Sequence, residues 1–516
     1  MLDRRVGTLV LVVLLVAAGS APAVAGGTET AAEATATWTP AVDAAAMPIA
    51  PQQDRPVIHQ RAIASRNPEP GSVTITFDYR IPPSVTGLRV GIPSTSADGV
   101  SVASTDGFER SSGWFRWDGE TERPSVSVRL AVGESLADGV RGVEREDWGL
   151  VSEPNTRVQA RTDQRPVRTT AFGVASDEPG YAASHLAYLG AHDRRNVTVA
   201  DERATFVLGG EDVDTSRAAD FLRTANEHFD FGVQRDAVTV FVLPLNASET
   251  EGIEAATVDD AFWVSEAALQ FADTGTVFAH EYVHTRLGPV GAGDAAWLTE
   301  AAAEYYGRVF ALNDGVGTYD EFLDGLRAPE YAPDRQSVIL SQPWTWRGTT
   351  AHYDKGAHVL AALDARIQRR TGGERDLRDV FEGRSESFRD YRAFRAAVIG
   401  VTGDESIGSW LDRYVVGDAL PPLPENPRYY VAAESLDPDG DGAASGAELD
   451  RGDHPFVEGA DGGVDPMPAA EGATATAGGE TTGTTPAATG TSGGAPGFDV
   501  VVAVVAVVLA TLRLRE

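Results

Sequence analysis

The spacing of apolar residues changes once along the chain, and that change sets the fold class. Between residues 55 and 200 apolar positions alternate, as in Val73, Ile75, Phe77 and Tyr79, and again in Val126, Val128, Leu130 and Val132. A period of two sends successive side chains to opposite faces of a strand, so this stretch predicts a β-rich, sandwich-like domain. From 201 to 250 the texture is mixed. A strand is expected at 205–208, a helix at 216–229 with apolar Ala219, Leu222 and Ala225, and a buried strand at 238–243. Beyond 270 the pattern turns helical, with helices expected near 274–287, 295–312, 355–371 and 389–399. The expectation is an α+β chain: a β-rich domain over 55–200, then a mainly helical one over 201–420.

Composition removes several functions. Of 516 residues 42% are hydrophobic, which supplies real cores and excludes a wholly disordered chain. The 76 acidic residues exceed the 43 basic ones for a formal net charge of −33. Nucleic acid and anionic membrane surfaces repel such a chain, so neither is expected as a partner. Without cysteine there is no disulfide scaffold, no thiolate-bound metal and no thiol catalysis. Lys355 is the sole lysine. An acidic chain with almost no lysine resembles proteins of salt-loving archaea, where carboxylates keep the surface hydrated.

The two ends read as addresses. Residues 1–25 have a basic start (Arg4, Arg5), a short apolar run and Ala23-Val24-Ala25 as a small-residue cleavage site, the pattern of a secretory signal peptide. Residues 26–54 are an Ala/Thr/Pro-rich linker, and 466–495 form a low-complexity stalk with nothing to bury. In 496–516, Pro496-Gly497-Phe498 precedes a thirteen-residue apolar run over 500–512, then Arg513 and Arg515. That run is shorter than the roughly 20 residues a spanning helix needs. The order resembles the archaeal PGF-CTERM sorting signal, which implies that the tail is removed and the protein attached to lipid. The expected location is therefore the outer cell surface, with membrane contact only through a processed C-terminal lipid anchor. Asn196-Val197-Thr198 and Asn246-Ala247-Ser248 are N-glycosylation sequons suited to a secreted chain.

The chemistry lies in the helical part. His280-Glu281-Tyr282-Val283-His284 has the form His-Glu-x-x-His. Residues four apart share a helix face, so His280 and His284 can present two imidazoles to one zinc ion. Glu281 then lies beside the open coordination position, placed to act as general base toward an attacking water. Thr274 is the expected cap of this helix, and Gly288-Pro289 its stop. On the next helix, opened by Asp294, Glu300 and Glu304 again share a face; one can ligate the metal while the other hydrogen-bonds a ligating histidine.

Four segments in order carry a family resemblance. Trp297-Leu298-Thr299-Glu300 resembles the Trp-Leu-x-Glu-Gly-Phe-Ala segment of gluzincin metallopeptidases, whose Glu is the third zinc ligand; that alignment selects Glu300, whereas thermolysin spacing selects Glu304. Tyr353-Asp354-Lys355-Gly356 is similar to the Tyr-x-Lys-Gly segment of the aminopeptidase N and glycyl aminopeptidase families, where the tyrosine hydroxyl stabilises the oxyanion. Trp410-Leu411-Asp412-Arg413-Tyr414-Val415-Val416-Gly417 resembles the Phe-Phe-Asp-Arg-Tyr-Val-x-Gly segment of the glycyl aminopeptidases. Together with His-Glu-x-x-His they imply a thermolysin-like helical catalytic domain behind a β domain, acting on peptides or proteins. The family segment that binds a substrate's free amino terminus survives only as Gly252-Ile253-Glu254-Ala255-Ala256, so aminopeptidase and endopeptidase both stay open. The rival is a surface binding protein on a decayed peptidase fold; the intact set His280, Glu281, His284, Glu300 and Tyr353 separates the two.

A second metal motif lies at 421–465. Asp437, Asp439 and Asp441 fill positions 1, 3 and 5 of an EF-hand loop, followed by Gly442, the Ala443 carbonyl, Ser445 and Glu448 at position 12. With no strong helix ahead of it, the loop predicts a lone structural Ca2+ site.

Overall fold

The computed structural model describes residues 55–92, 99–133, 142–163, 166–245, 255–271, 273–382 and 386–470. The signal peptide 1–25, the linker 26–54, Asn246, Gly252, Ile253, Glu254, stalk residues 471–495 and the sorting tail 496–516 lie outside the described residues.

The β-rich part contains two sheets that share one apolar core. In the five-stranded sheet, Val57–Arg66 lies between Val167–Val174, its parallel neighbour, and antiparallel Ser72–Arg80; Ser125–Ala131 and Val100–Asp106 come next in order. Alternation works here as expected: Val73, Ile75, Phe77 and Tyr79 are buried while their neighbours are half exposed. They meet Leu88, Val90, Phe108 and Phe115 from a four-stranded sheet ordered Arg157–Arg161, Gly87–Gly91, Trp114–Trp117 and Phe108–Ser111. A third, four-stranded sheet (Gly180–Ala183, Leu186–Gly190, Trp148–Ser152, Gly142–Glu144) joins this part to a fourth sheet.

The fourth sheet is covered on both faces. Its strands are Asp193–Val199, Glu202–Leu208, Ala237–Leu243, Ala261–Ser265 and, at the far edge, antiparallel Ala255–Val258. On Ala237–Leu243, Val240 and Val242 point into the core shared with the helices, whereas Phe241 and Leu243 pack with Trp148, Leu150 and Tyr188 of the third sheet. Two buried faces explain why this strand reads as an unbroken apolar run. Helix α1 (Ser216–His228) crosses between the parallel pair Glu202–Leu208 and Ala237–Leu243.

The rest is mainly helical, with α2 (Val277–Leu287), α3 (Trp297–Asn313), α4 (Tyr319–Leu326), α5 (Pro333–Gln336), α6 (Ala351–Thr371), α7 (Arg378–Phe381), α8 (Tyr391–Thr402), α9 (Ser406–Leu411) and α10 (Ser445–Arg451). The chain is thus β-rich first and mainly helical after, the expected α+β class. Among the described residues no helix is long and apolar enough to cross a membrane. Asn196 is exposed on the edge strand Asp193–Val199.

Candidate metal centre

Helix α2 is buried almost throughout because the edge strand Ala255–Val258 and helix α3 both pack against it. Its start differs from expectation: Thr274 is buried ahead of the helix, Thr276 takes the capping position, and no side chain caps the first turn. Asp294 does not cap α3 either. The chain enters α3 already helical at Ala296, and the Asp294 carboxylate instead accepts the Tyr391 amide at 2.7 Å, tying α8 to this region. Gly288 ends α2 as expected, its amide returning to the His284 carbonyl.

Two glycines set the approach of the helices. A Cβ on Gly307 would come within 3.0 Å of the His280 amide nitrogen, and one on Gly356 within 2.4 Å of the Ala301 Cβ. Only glycine lets α3 lie that close to α2, and α6 that close to α3. The Gly of Tyr-Asp-Lys-Gly therefore has a packing reason: it seats α6 so that Tyr353 reaches the histidines.

His280 Nε2 and His284 Nε2 lie 3.1 Å apart, and Glu300 Oε2 is 3.5 Å from the first and 3.4 Å from the second. These three residues are buried and form a group that could hold a metal ion. Glu304 lies on the far side of the His280 ring, 3.1 Å from Nδ1, with its other oxygen held by Arg308 at 2.6–2.8 Å. The crossing of α2 and α3 thus separates two glutamates that share one helix face. Glu300 faces both Nε2 atoms; Glu304 orients one ring.

The donor set suits a cation. Glu300 Oε2 and Glu281 Oε1 are buried with no hydrogen-bond partner, a costly state for carboxylate oxygens unless something positive meets them. Burial disfavours charge on His280, but the Glu300 and Glu304 carboxylates beside its ring outweigh it and raise its pKa to about 10. Burial likewise opposes charge on Glu300, yet His284 and His280 hold its pKa well below the usual range. Burial pushes Glu281 upward, partly offset by His284, His280 and the hydroxyl of Thr257, which donates to Glu281 Oε2.

The Tyr353 ring stacks 5.9 Å from His280, at 19° between planes, and its hydroxyl bonds to the Glu300 side. Burial first, then Glu300, pushes the Tyr353 pKa well above the usual value, so the hydroxyl keeps its proton. His352 stacks on Trp346 at 4.0 Å and meets the Tyr353 ring edge at 4.6 Å; burial lowers its pKa to about 4. Sequence reasoning did not single out Thr257, Arg308 or His352. Arg308 had a signal, four residues after Glu304 on one helix. Thr257 had none, because strand-to-helix packing has no local spacing.

Lys355 turns away from the metal group. Fully buried, it donates to the Gln336 and Val338 carbonyls at 3.0 and 2.6 Å, pinning the segment after α5 to α6. Burial lowers its pKa from 10.5 to about 8. Lys355→Met leaves two carbonyls without their donor and is expected to lower unfolding stability by about 2–3 kcal/mol in denaturant titrations. Below pH 8 folded and unfolded chains both hold this proton, so the burial cost is fully present. Between about 8 and 10.5 the unfolded chain binds more, and wild type is expected to gain stability relative to Lys355→Met. A difference that stays flat across that window would rule out this account. The segment 410–417 is also structural: Asp412 accepts from Tyr391 and Arg395, and the Val415 carbonyl receives the Ser341 amide.

The second motif assembles in part. Ligand oxygens of Asp437, Asp439 and Asp441 lie within 4.8 Å of one another, and α10, which carries Ser445 and Glu448, starts against the loop's entry with the Ser445 amide donating to the Leu436 carbonyl at 2.7 Å. Among the described residues no α-helix lies between 412 and 444, as the sequence implied.

No protein-family model matches the chain, and no curated protein does. A solved structure does. An aminopeptidase N family protein from Idiomarina loihiensis matches 72% of this chain and 77% of its own, with a TM-score of 0.51 and 10% identity. That likeness is one of fold.

Proposed function

We propose that the chain is a zinc-dependent peptidase of the gluzincin type, secreted and held at the outer cell surface, that hydrolyses peptide bonds. The observation that carries this reading is the buried convergence of His280 Nε2, His284 Nε2 and Glu300 Oε2 beside an uncommitted Glu281 oxygen and a protonated Tyr353. Neutral His280 and His284 would hold zinc through Nε2, with Glu300 as third ligand. Zinc bound there supplies Lewis acidity at the open position.

The chain's own residues do the rest. Glu304 accepts the His280 Nδ1 proton and fixes the tautomer that leaves Nε2 free for the metal. Arg308 in turn fixes Glu304. Thr257 holds one oxygen of Glu281, aiming the other to take the proton of the attacking water and pass it to the leaving amine. Tyr353 donates its hydroxyl to the carbonyl oxygen as that oxygen gains charge. Fold likeness to an aminopeptidase N family protein supports the class and leaves the cleavage position to experiment.

Zinc analysis of the purified chain with a peptide-library digest tests this reading. Stoichiometric zinc and metal-dependent cleavage support it, and the cut positions separate aminopeptidase from endopeptidase. A chain that holds no zinc and cleaves nothing is the surface binding protein instead. Glu304→Ala should weaken zinc binding by about 10–100-fold, read by competition with a chelator, because it frees the His280 ring without removing a ligand.

A further inference from the structure

We propose that the loop from Asp437 to Glu448 binds one Ca2+, and that the ion fastens the C-terminal segment to the end of helix α3. An acidic loop alone is common in a chain of net charge −33 and carries little weight. The added observation lies behind it. Glu448 is 2% exposed and its Oε2 has no hydrogen-bond partner; Ser445 is fully buried and its Oγ has none; Asp439 Oδ2 is buried and unpartnered as well. Helix α10 closes back on the loop's start, where the Ser445 amide donates to the Leu436 carbonyl at 2.7 Å, and this sets Glu448 within the field of Asp439, Asp441 and Asp437. Buried acceptors without donors, facing like charges, are costly. One divalent cation resolves both costs at once.

The donors select the ion. Three aspartates, a backbone carbonyl at Ala443, the Ser445 hydroxyl and a Glu448 that can bind through two oxygens give the six to eight oxygens Ca2+ prefers. Mg2+ demands a tighter octahedron and keeps more of its water.

The loop's back rests on the catalytic part of the chain. Pro438 is so close to Gly315, just past α3, that a Cβ there would come within 3.0 Å of the Pro438 carbonyl oxygen. A groove between them is lined by Thr224, Asn313 and Asp314 on one side and Leu436, Asp437 and Asp439 on the other. Asn313, the last residue of α3, donates to the Tyr430 carbonyl and accepts the Ala432 amide at 2.8 and 2.9 Å. Arg428 reaches forward to the Leu449 carbonyl of α10 at 2.8 Å. An ion shared by the loop and α10 therefore closes a ring: α3, segment 426–436, loop, α10 and back. Helix α3 is the one that carries Glu300 and Glu304, whose ion-pair partners His280, His284 and Arg308 lie outside the loop. The site is a clamp.

The experiment uses the full chain, freed of calcium on a chelating resin and kept in molar KCl, with CaCl2 as the probe. Calorimetry is expected to show saturable binding of one Ca2+, and Tm should rise by about 2–5 °C at a hundredfold excess over Kd. MgCl2 at equal concentration should give less than half that shift. Glu448→Gln keeps the shape of the side chain and removes the crowded charge. Without calcium it should melt at or above wild type; with calcium it should melt below wild type, with affinity reduced at least about tenfold. Asp437→Asn should reduce affinity likewise, and zinc content should match wild type in both variants. The proposal is overturned by a wild-type chain that binds no calcium, by equal shifts from Mg2+, or by Glu448→Gln gaining as much as wild type.

Discussion

Glu281→Gln is expected to keep its zinc while turnover falls at least about a hundredfold, and Glu300→Gln to lose the metal itself. The two residues differ in what they face, although both are buried carboxylates in one pocket. Glu300 Oε2 sits 3.4–3.5 Å from both Nε2 atoms, the position of a third donor, while Glu281 is outside that three-residue group and keeps one oxygen without a partner. Glutamine at 281 retains the side-chain oxygen that Thr257 meets, so the helix and ligands stay in place. What goes is the ability to accept a proton. Glutamine at 300 keeps volume but loses the charge that balances a divalent ion between two neutral imidazoles. Metal analysis and single-turnover cleavage on the same preparations read the two outcomes separately. If Glu281→Gln loses zinc as Glu300→Gln does, Glu281 is a ligand and the base lies elsewhere; if it cleaves at the wild-type rate, it is not the base.

Much of the fold was legible because it is written in local spacing. Alternation along Ser72–Arg80 has one buried face and one open face, and such a strand announces itself. Ala237–Leu243 was recognisable as buried, but which side chains meet helices and which meet the third sheet depends on partners far away in sequence. The helix bounds moved by a few residues where a cap was assumed. Thr274 and Asp294 are good capping residues, yet α2 starts past the first, and the second is taken by the Tyr391 amide. At the site, helical spacing gave His280 and His284 at once. Helical periodicity does not rank Glu300 and Glu304, which lie four apart on one face; the family alignment selects the first and thermolysin spacing the second. Gly307 decides between them by letting α3 press on α2 at a level where Glu300 meets the Nε2 pair and Glu304 meets Nδ1. Lys355 shows the opposite case. It is the chain's sole lysine and falls within Tyr-Asp-Lys-Gly, and it proves to be a buried tie to two carbonyls, turned away from the histidines.

Tyr353→Phe is expected to reduce turnover by roughly two to three orders of magnitude, with zinc content, fold and substrate affinity close to wild type. Removing the hydroxyl leaves the ring, and the ring is what packs: it stacks on His280 and against the edge of His352. No cavity opens, so stability should change little. The hydroxyl itself keeps its proton far above neutral pH, because burial and the Glu300 carboxylate both disfavour a phenolate. A neutral donor next to the metal group adds little to a ground-state carbonyl, whose oxygen carries only partial charge. It adds much once that oxygen becomes an anion, about 3–4 kcal/mol for a preorganised donor in a dry site. The loss should therefore fall on kcat, with KM nearly unchanged where chemistry limits the rate. An equal loss in zinc binding would mean that the hydroxyl orders Glu300 as a ligand. An unchanged kcat would reduce Tyr353 to a packing residue, a role its stacked ring could fill alone.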